Sequence, residues 1–334
     1  RDPASFAEVA GRIFALGRDP HFPAWTDVVQ VNAFGSDLRS AMTEQLRRIA
    51  ERCDGVRCDM AMLLLNDVFA ATWGARVGAA PADEFWPGMI RGVRTEQPGF
   101  LFAAEAYWDL EHVLLEQGFD YCYDKRLYDL VVHPDPVALR GHLLSDANHQ
   151  RRMVRFLENH DEPRVAAALA RETLPVAAVA VATLPGALLV YEGQLDGRRV
   201  RPPVQLGRRP AETADSGLRE FWLRLLAEAT AAPVRRGEWT LLRVEGWPDN
   251  DSFRRLVAWR WDTTDSTVTV VVNLSANAAQ GRLCRPDAGS PVGQVELVDP
   301  LAKHRFLPDP AELADQGLYV DLAPWGFHFL RGNW

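Results

Sequence analysis

No apolar run in this chain approaches the ~20 residues that a membrane-spanning helix needs, which excludes a helical membrane protein. Cysteine is scarce: Cys53, Cys58, Cys122 and Cys284 form no CxxC pair, and no His cluster stands near them at zinc spacing. They read as buried free thiols, which fits a reduced, cytoplasmic protein. An excess of positive charge is also missing. The net charge of −8 argues against a nucleic-acid backbone as the main partner and suits a neutral ligand. Repeats and low-complexity tracts are absent. The opening RDPASFAEVAGRIF lacks the charged segment and apolar core of a signal peptide.

What is present is an ordinary globular balance, 47% hydrophobic and 25% charged over 334 residues, enough for one large domain and a smaller one. Eleven Trp is a high count. Trp rings fill cores, and they also stack on the apolar faces of sugars. Gly17 to Trp25 carries two prolines and reads as loop. From Asp37 to Arg52, Leu38, Ala41, Met42, Leu46, Ile49 and Ala50 recur at helical spacing, with Ser36 or Asp37 as cap. The following DGVRCDMAMLLL reads as an Asp-Gly turn and a buried strand. Further strands are expected over Gly99 to Tyr107, Phe119 to Tyr123, Arg152 to Leu157 and Gly186 to Tyr191, with a helix from Glu162 to Ala182 interrupted by Pro175. Strands alternating with helices predict a parallel sheet whose polar residues gather past the strand ends.

The pattern changes near residue 232. EWTLLRVEG, RRLVAWRW, TVTVVVNLSA and YVDLAPWGFHFLR alternate apolar and polar residues between turn clusters, the period-2 signature of an all-β region. The expected organisation is therefore residues 1–232 as an α/β domain and residues 233–334 as a sandwich-like β-domain.

Three carboxylates end three of the expected strands: Asp59, Glu105 and Asp161. Taken alone, a carboxylate on a buried strand is more often a structural hydrogen-bonder than a catalyst. Their neighbours carry more. GVRCDMA, Gly55 to Ala61, resembles the GxRxDxA segment of the α-amylase family, glycoside hydrolase family 13. FAAEAYW, Phe102 to Trp108, resembles its general-acid segment, and FLENHDEPR, Phe156 to Arg164, its NHD segment. The three stand in family order.

That resemblance implies a (β/α)₈ TIM barrel, of which about strands 4 to 8 can be counted here, followed by a C-terminal β-domain. It implies a retaining hydrolase of α-glucosidic bonds in α-glucans or oligosaccharides. Asp59 is then the nucleophile, Glu105 the acid/base and Asp161 the residue that stabilises the transition state. Arg57, two residues before Asp59, shares its strand face and keeps it ionised. His160, Trp108 and Glu192 join Arg57 as substrate-binding candidates, and Phe102, Tyr107 and Trp108 are expected to give Glu105 an apolar setting. Trp25, Asp27, Gln30 and Asn32 look like the segment that often precedes the nucleophile strand. DVVQVN does not match the family's first motif, because no His follows Asn32.

The sequence departs from the family in two places. Met62-Leu63-Leu64 stands where many members carry Lys-His, which leaves calcium without support; no cofactor or metal is expected. The first motif and three barrel strands are missing, so a fragment with an open sheet edge is expected. An α-glucan transglycosylase and a non-catalytic amylase-like carbohydrate-binding protein are the alternatives. Neither a nucleic acid nor a membrane is an expected partner.

Overall fold

The computed structural model describes residues 3–203, 208–285 and 294–334. The chain forms two compact units, Arg1–Tyr123 and Asp124–Trp334. Among the described residues no helix is long and apolar enough to cross a membrane.

The first unit opens with a three-stranded antiparallel sheet that the sequence reading did not anticipate: β1 (Phe6–Val9), β2 (Arg12–Gly17) and β3 (Trp25–Val29). Ala10 and Gly11, both at positive φ, make the two-residue turn between β1 and β2, a geometry that matches strand twist. The expected loop occupies residues 18–24, where Asp19 accepts the backbone N–H of His21 and of Phe22. Helix α1 runs Ser36–Ala50. The expected caps are corrected: Gly35 holds the N-cap position, while Ser36 and Asp37 lie in the first turn, where an acid favours the helix dipole.

Strand β4 (Gly55–Cys58) follows, then α2 (Asn66–Trp73), α3 (Phe85–Arg94), β5 (Leu101–Ala104), α4 (Glu111–Glu116) and β6 (Tyr121–Tyr123). β4, β5 and β6 are parallel and hydrogen-bonded in that order. β4 is shorter than expected. The chain leaves the sheet after Cys58, and Ala61–Leu64 forms a 3₁₀ turn with Ala61 and Met62 fully buried. That run is apolar because it packs under the strand ends, not because it extends the strand. Gly55 sits at a close approach: a Cβ there would lie 2.7 Å from the Leu101 carbonyl oxygen on β5. Among the described residues β4 ends its sheet, with β5 as its one strand neighbour.

The second unit begins with α5 (Lys125–Val132), α6 (Pro136–Leu143), α7 (Ala147–Arg151) and β7 (Met153–Arg155). It continues with α8 (Val165–Ala168), α9 (Leu174–Thr183), β8 (Ala187–Leu188), α10 (Ser216–Ala229) and α11 (Ala232–Arg236). β7 and β8 pair in parallel. The single helix expected over 162–182 is two, and Pro175 lies in the first turn of α9, where its missing N–H costs nothing. Then come β9 (Glu238–Glu245), β10 (Leu256–Asp262), β11 (Thr267–Asn273), β12 (Ala279–Cys284), β13 (Leu297–Asp299), β14 (His304–Phe306), α12 (Pro310–Gln316), β15 (Leu318–Leu322) and β16 (Phe327–Arg331). These eight strands form one antiparallel sheet in the order β14-β13-β16-β11-β10-β9-β12-β15.

One core joins the helices of this unit to one face of that sheet. Leu127, Leu139, Val176, Val179 and Trp222 pack in a cluster with Trp259, Trp261, Val270, Val272 and Phe329. The opposite face has its own cluster, including Leu242, Leu256, Val271, Leu283, Leu297 and Leu330. Buried on both faces, β11 reads as a nearly unbroken apolar run. Trp261 also donates its indole N–H to the Thr183 carbonyl at the end of α9, 2.8 Å away. Trp261→Phe keeps most of the packing and strands that carbonyl. We expect a loss of about 1–3 kcal/mol, measured as a lower urea midpoint at unchanged slope. An unchanged midpoint would show that the indole contributes only its bulk.

Candidate active site

In the first unit the site is built where parallel β4 and β5 end side by side. Cys58 is paired with Ala104, so Asp59 and Glu105 are the first residues beyond the two strands. Their backbones stay stitched: Glu105 N–H donates to the Cys58 carbonyl and Ala61 N–H to the Glu105 carbonyl, each at 3.0 Å. Arg57, two residues before Asp59, reaches both carboxylates. Its Nη1 pairs with Asp59 Oδ1, and its Nη2 lies 3.0 Å from Glu105 Oε1. The two acids therefore lie within the span of one guanidinium. Their surroundings differ sharply: the Asp59 side chain is 78% exposed and that of Glu105 only 4%.

Two further donors meet Glu105. The Tyr107 hydroxyl donates to Oε1 at 2.8 Å and the Met60 backbone N–H to Oε2 at 2.7 Å. Met60 holds a left-handed backbone, φ 43°, which turns its amide toward the acid. A non-glycine residue in that region is strained and persists only where its surroundings hold it. Here the next residue is held at both ends of its peptide, because the Ala61 carbonyl accepts the Trp86 indole N–H at 2.9 Å. The expected apolar setting for Glu105 needs correction. Tyr107 serves it through a polar hydroxyl, and Phe102 packs against Phe100 and Phe119 with Arg94 over its ring. Trp108 is half-buried at φ 63° and meets His21 edge to face at 4.7 Å between ring centres.

The electrostatics follow from this packing. Burial works to lower the Arg57 pKa, but the charge of Glu105 and the hydrogen bond and charge of Asp59 outweigh it, and the pKa is raised. The Arg57 guanidinium also lies 5.5 Å from the Tyr123 ring centre, a contact the sequence reading missed. Burial pushes the Cys58 thiol up to about 12 against the pull of Arg57, so it is a neutral thiol and no nucleophile. All four cysteines are free.

The second unit carries Asp161 and His160 on the turn between β7 and α8. The Asn159 side-chain oxygen accepts the N–H of Asp161 at 2.8 Å and of Glu162 at 2.9 Å. His160 Nε2 is 2.9 Å from Asp161 Oδ2, and both side chains are partly exposed. Arg201 donates to the Asp161 carbonyl at 2.6 Å. Beneath them lies Glu158, fully buried and missed by sequence reasoning. Its carboxylate accepts the Val165 N–H at 2.5 Å and meets Arg164 Nη1 at 3.3 Å, closing the loop end to end. Arg164 in turn donates to the Glu192 carbonyl at 2.9 Å. The Glu192 carboxylate is largely exposed and paired with Arg209. Arg198 donates to the Glu212 carbonyl. Of the residues suspected before the nucleophile strand, Trp25 and Asp27 lie on β3, Gln30 follows it, and Asn32 accepts the Phe34 N–H. Among the described residues no group of three or more His, Cys, Asp or Glu side chains is arranged to hold a metal ion.

Over 263 residues, 75% of this chain, the sequence is 26% identical to the α-amylase MalA of Haloarcula japonica. The chain is related to the α-amylases. It spans 36% of the length of that relative. No protein-family model matches it. Among solved structures, a maltogenic α-amylase from Thermotoga neapolitana superposes with a TM-score of 0.64 at 20% identity, over 91% of this chain and 68% of that one. The H. orenii α-amylase superposes at 0.65 and 15% identity, over 99% and 70%. At these identities the likeness concerns the fold alone: the neighbours are TIM-barrel α-amylases with a C-terminal β-domain, and this chain shares with them parallel strands and an eight-stranded antiparallel sheet.

Burial raises the Glu158 carboxyl to about 7, partly offset by the Val165 N–H and Arg164. An acid whose pKa is raised on folding stabilises the fold most below its unfolded pKa, near 4.5. That contribution is lost as pH rises through about 7. We expect stability to fall by up to roughly 3 kcal/mol across this window. Glu158→Gln, which still accepts from Val165, should flatten the dependence. Urea denaturation between pH 5 and pH 8 measures it, and identical slopes in both proteins would remove Glu158 as its source.

Proposed function

We propose that this chain carries catalytic residues of a retaining glycoside hydrolase acting on α-glucosidic bonds of α-glucans or oligosaccharides. The observation that carries the reading is the single guanidinium joining an exposed carboxylate, Asp59, to a buried one, Glu105, at adjoining strand ends. Retaining hydrolysis needs this pairing of unlike acids. Asp59, open to substrate and paired with Arg57, attacks the anomeric carbon. The bond to the leaving oxygen breaks as Glu105 gives that oxygen its proton. Asp59 is then a glycosyl ester, and Glu105, having given up its proton, takes one from the water that attacks the ester. Two inversions restore the α configuration. The alternative fate, transfer to a sugar hydroxyl, follows the same path and differs only in what attacks the ester.

Asp161 and His160 serve this reading as the groups that hold sugar hydroxyls, with Trp108 and Glu192 as further substrate contacts. What supports them is the NHD resemblance and the Asn159-braced turn. We keep residues 1–232 as a partial (β/α)₈ barrel, about strands 4 to 8, and residues 233–334 as a sandwich-like β-domain. The parallel pairing of β4, β5 and β6 and of β7 with β8, and the antiparallel pairing from β9 onward, support that division. The free cysteines support a cytoplasmic setting. The proposed chemistry needs no cofactor.

Asp59→Asn should lower turnover about 10⁴-fold or more on an aryl α-maltoside while substrate binding persists. Glu105→Gln should still form the glycosyl-enzyme from substrates with good leaving groups, because these need no proton. That ester should accumulate, and azide should release it as an α-glycosyl azide. A β-azide, or equal loss on activated and unactivated substrates without rescue, would overturn the assignment.

A further inference from the structure

Of the eleven Trp residues Trp247 alone is exposed, at 41%, and of the six Tyr residues Tyr319 alone, at 44%. They lie together. Their rings are 6.3 Å apart and tilted by 40°. We propose that these rings form a saccharide-binding platform on the edge of the C-terminal sheet, made of none of the residues assigned to the candidate active site.

The platform is built, not incidental. Tyr319 on β15 stands opposite Arg282 on β12, and Asp321 stands opposite Gln280. Arg282 lies 5.7 Å from the Tyr319 ring centre and is held by Glu312 of α12 at 2.8 Å. Gln280 donates to Asp321 at 3.0 Å. Planar hydrogen-bonding groups thus rim the two rings, already in fixed orientation. Trp247 is fixed as well, on a turn sewn to β12. Asn250 donates to the Gln280 carbonyl at 3.2 Å and Ser252 Oγ accepts the Gln280 N–H at 3.0 Å. Gly246 permits that turn, since a Cβ there would lie 2.4 Å from Phe253 and 2.5 Å from the Asn250 carbonyl oxygen. Tyr319, Asp321 and Glu312 also line a cleft of about 540 Å³ whose remaining lining is largely apolar, with Phe306, Leu307 and Leu313, a size that suits a small ligand.

Exposed aromatic rings ringed by amide, carboxylate and guanidinium groups match a sugar, which offers a small apolar face edged by hydroxyls. A protein partner fits less well. Stable protein interfaces bury on the order of 1,600 Å² around an apolar centre, whereas the groups flanking these rings are polar or charged. The choice of an α-glucan as ligand rests on the proposed function. A second attachment point of this kind would hold a polymer near the chain without improving turnover of a short substrate.

The test uses the chain in its Asp59→Asn form, so that the probe is not digested, with granular starch and soluble maltoheptaose. Trp247→Ala and Tyr319→Ala should each weaken retention on starch about tenfold, while Tyr319→Phe, which keeps the ring, retains most of it. In the otherwise unaltered protein, Trp247→Ala should leave kcat/KM on an aryl α-maltoside unchanged. Retention unaffected by Trp247→Ala overturns the platform, as does failure of Asp59→Asn to bind either probe. Self-association that Trp247→Ala abolishes also overturns it, in favour of a protein contact. Loss of maltoside cleavage in the unaltered protein, with starch retention intact, counts against the proposed function and leaves the platform standing.

Discussion

The Arg57 guanidinium is the constraint on which the candidate site depends. It is three-quarters buried beside an acid that is almost wholly buried, and a lone charge in either place would be costly. Pairing with Glu105 and Asp59 satisfies it, and the raised pKa records that the pairing outweighs burial. Because Arg57 is the third residue of a four-residue strand, the same pairing fixes where that strand must stop. Asp59 has to leave the sheet to remain open to solvent, and the left-handed turn at Met60 follows directly. Its amide then completes the shell of donors around Glu105.

The second unit handles its polar loop by a related device. Glu158 and Asn159 accept backbone N–H groups at Val165, Asp161 and Glu162, so the loop's orphan donors are answered by side chains of the same loop. Arg155 below it is fully buried and paired with Asp124, and burial still lowers its pKa to about 9. Buried ions of this kind add little net stability, but removing one partner leaves the other charged and dry. They resist drift more than they strengthen the fold.

What was legible and what was not divides by physical cause. The carboxylates and Arg57 were legible because each stands in a short segment of distinctive residues. The apolar run after Asp59 was misread because a buried 3₁₀ turn and a buried strand share composition, and periodicity cannot separate them over four residues. The first three strands went unseen because they are four to six residues long and partly exposed, so their alternation is weak. Tyr107 was noted for its ring, but its hydroxyl matters here. Glu158 was passed over because a buried acid between Leu157 and Asn159 carries no pattern.

The sequence by itself determined which residues are candidates for the chemistry, the parallel character of the strands around them and a change of pattern near residue 232, shortly before the antiparallel strands begin at Glu238. Side-chain identity and period-2 alternation are local properties, and they survive in one dimension. Only the tertiary structure decided that a buried and an exposed carboxylate share one guanidinium, that the Met60 amide faces Glu105 and that Trp247 meets Tyr319. Each of these joins residues tens of positions apart, or a backbone group whose direction no side chain announces. Such contacts come from chain packing, which residue identity constrains without specifying.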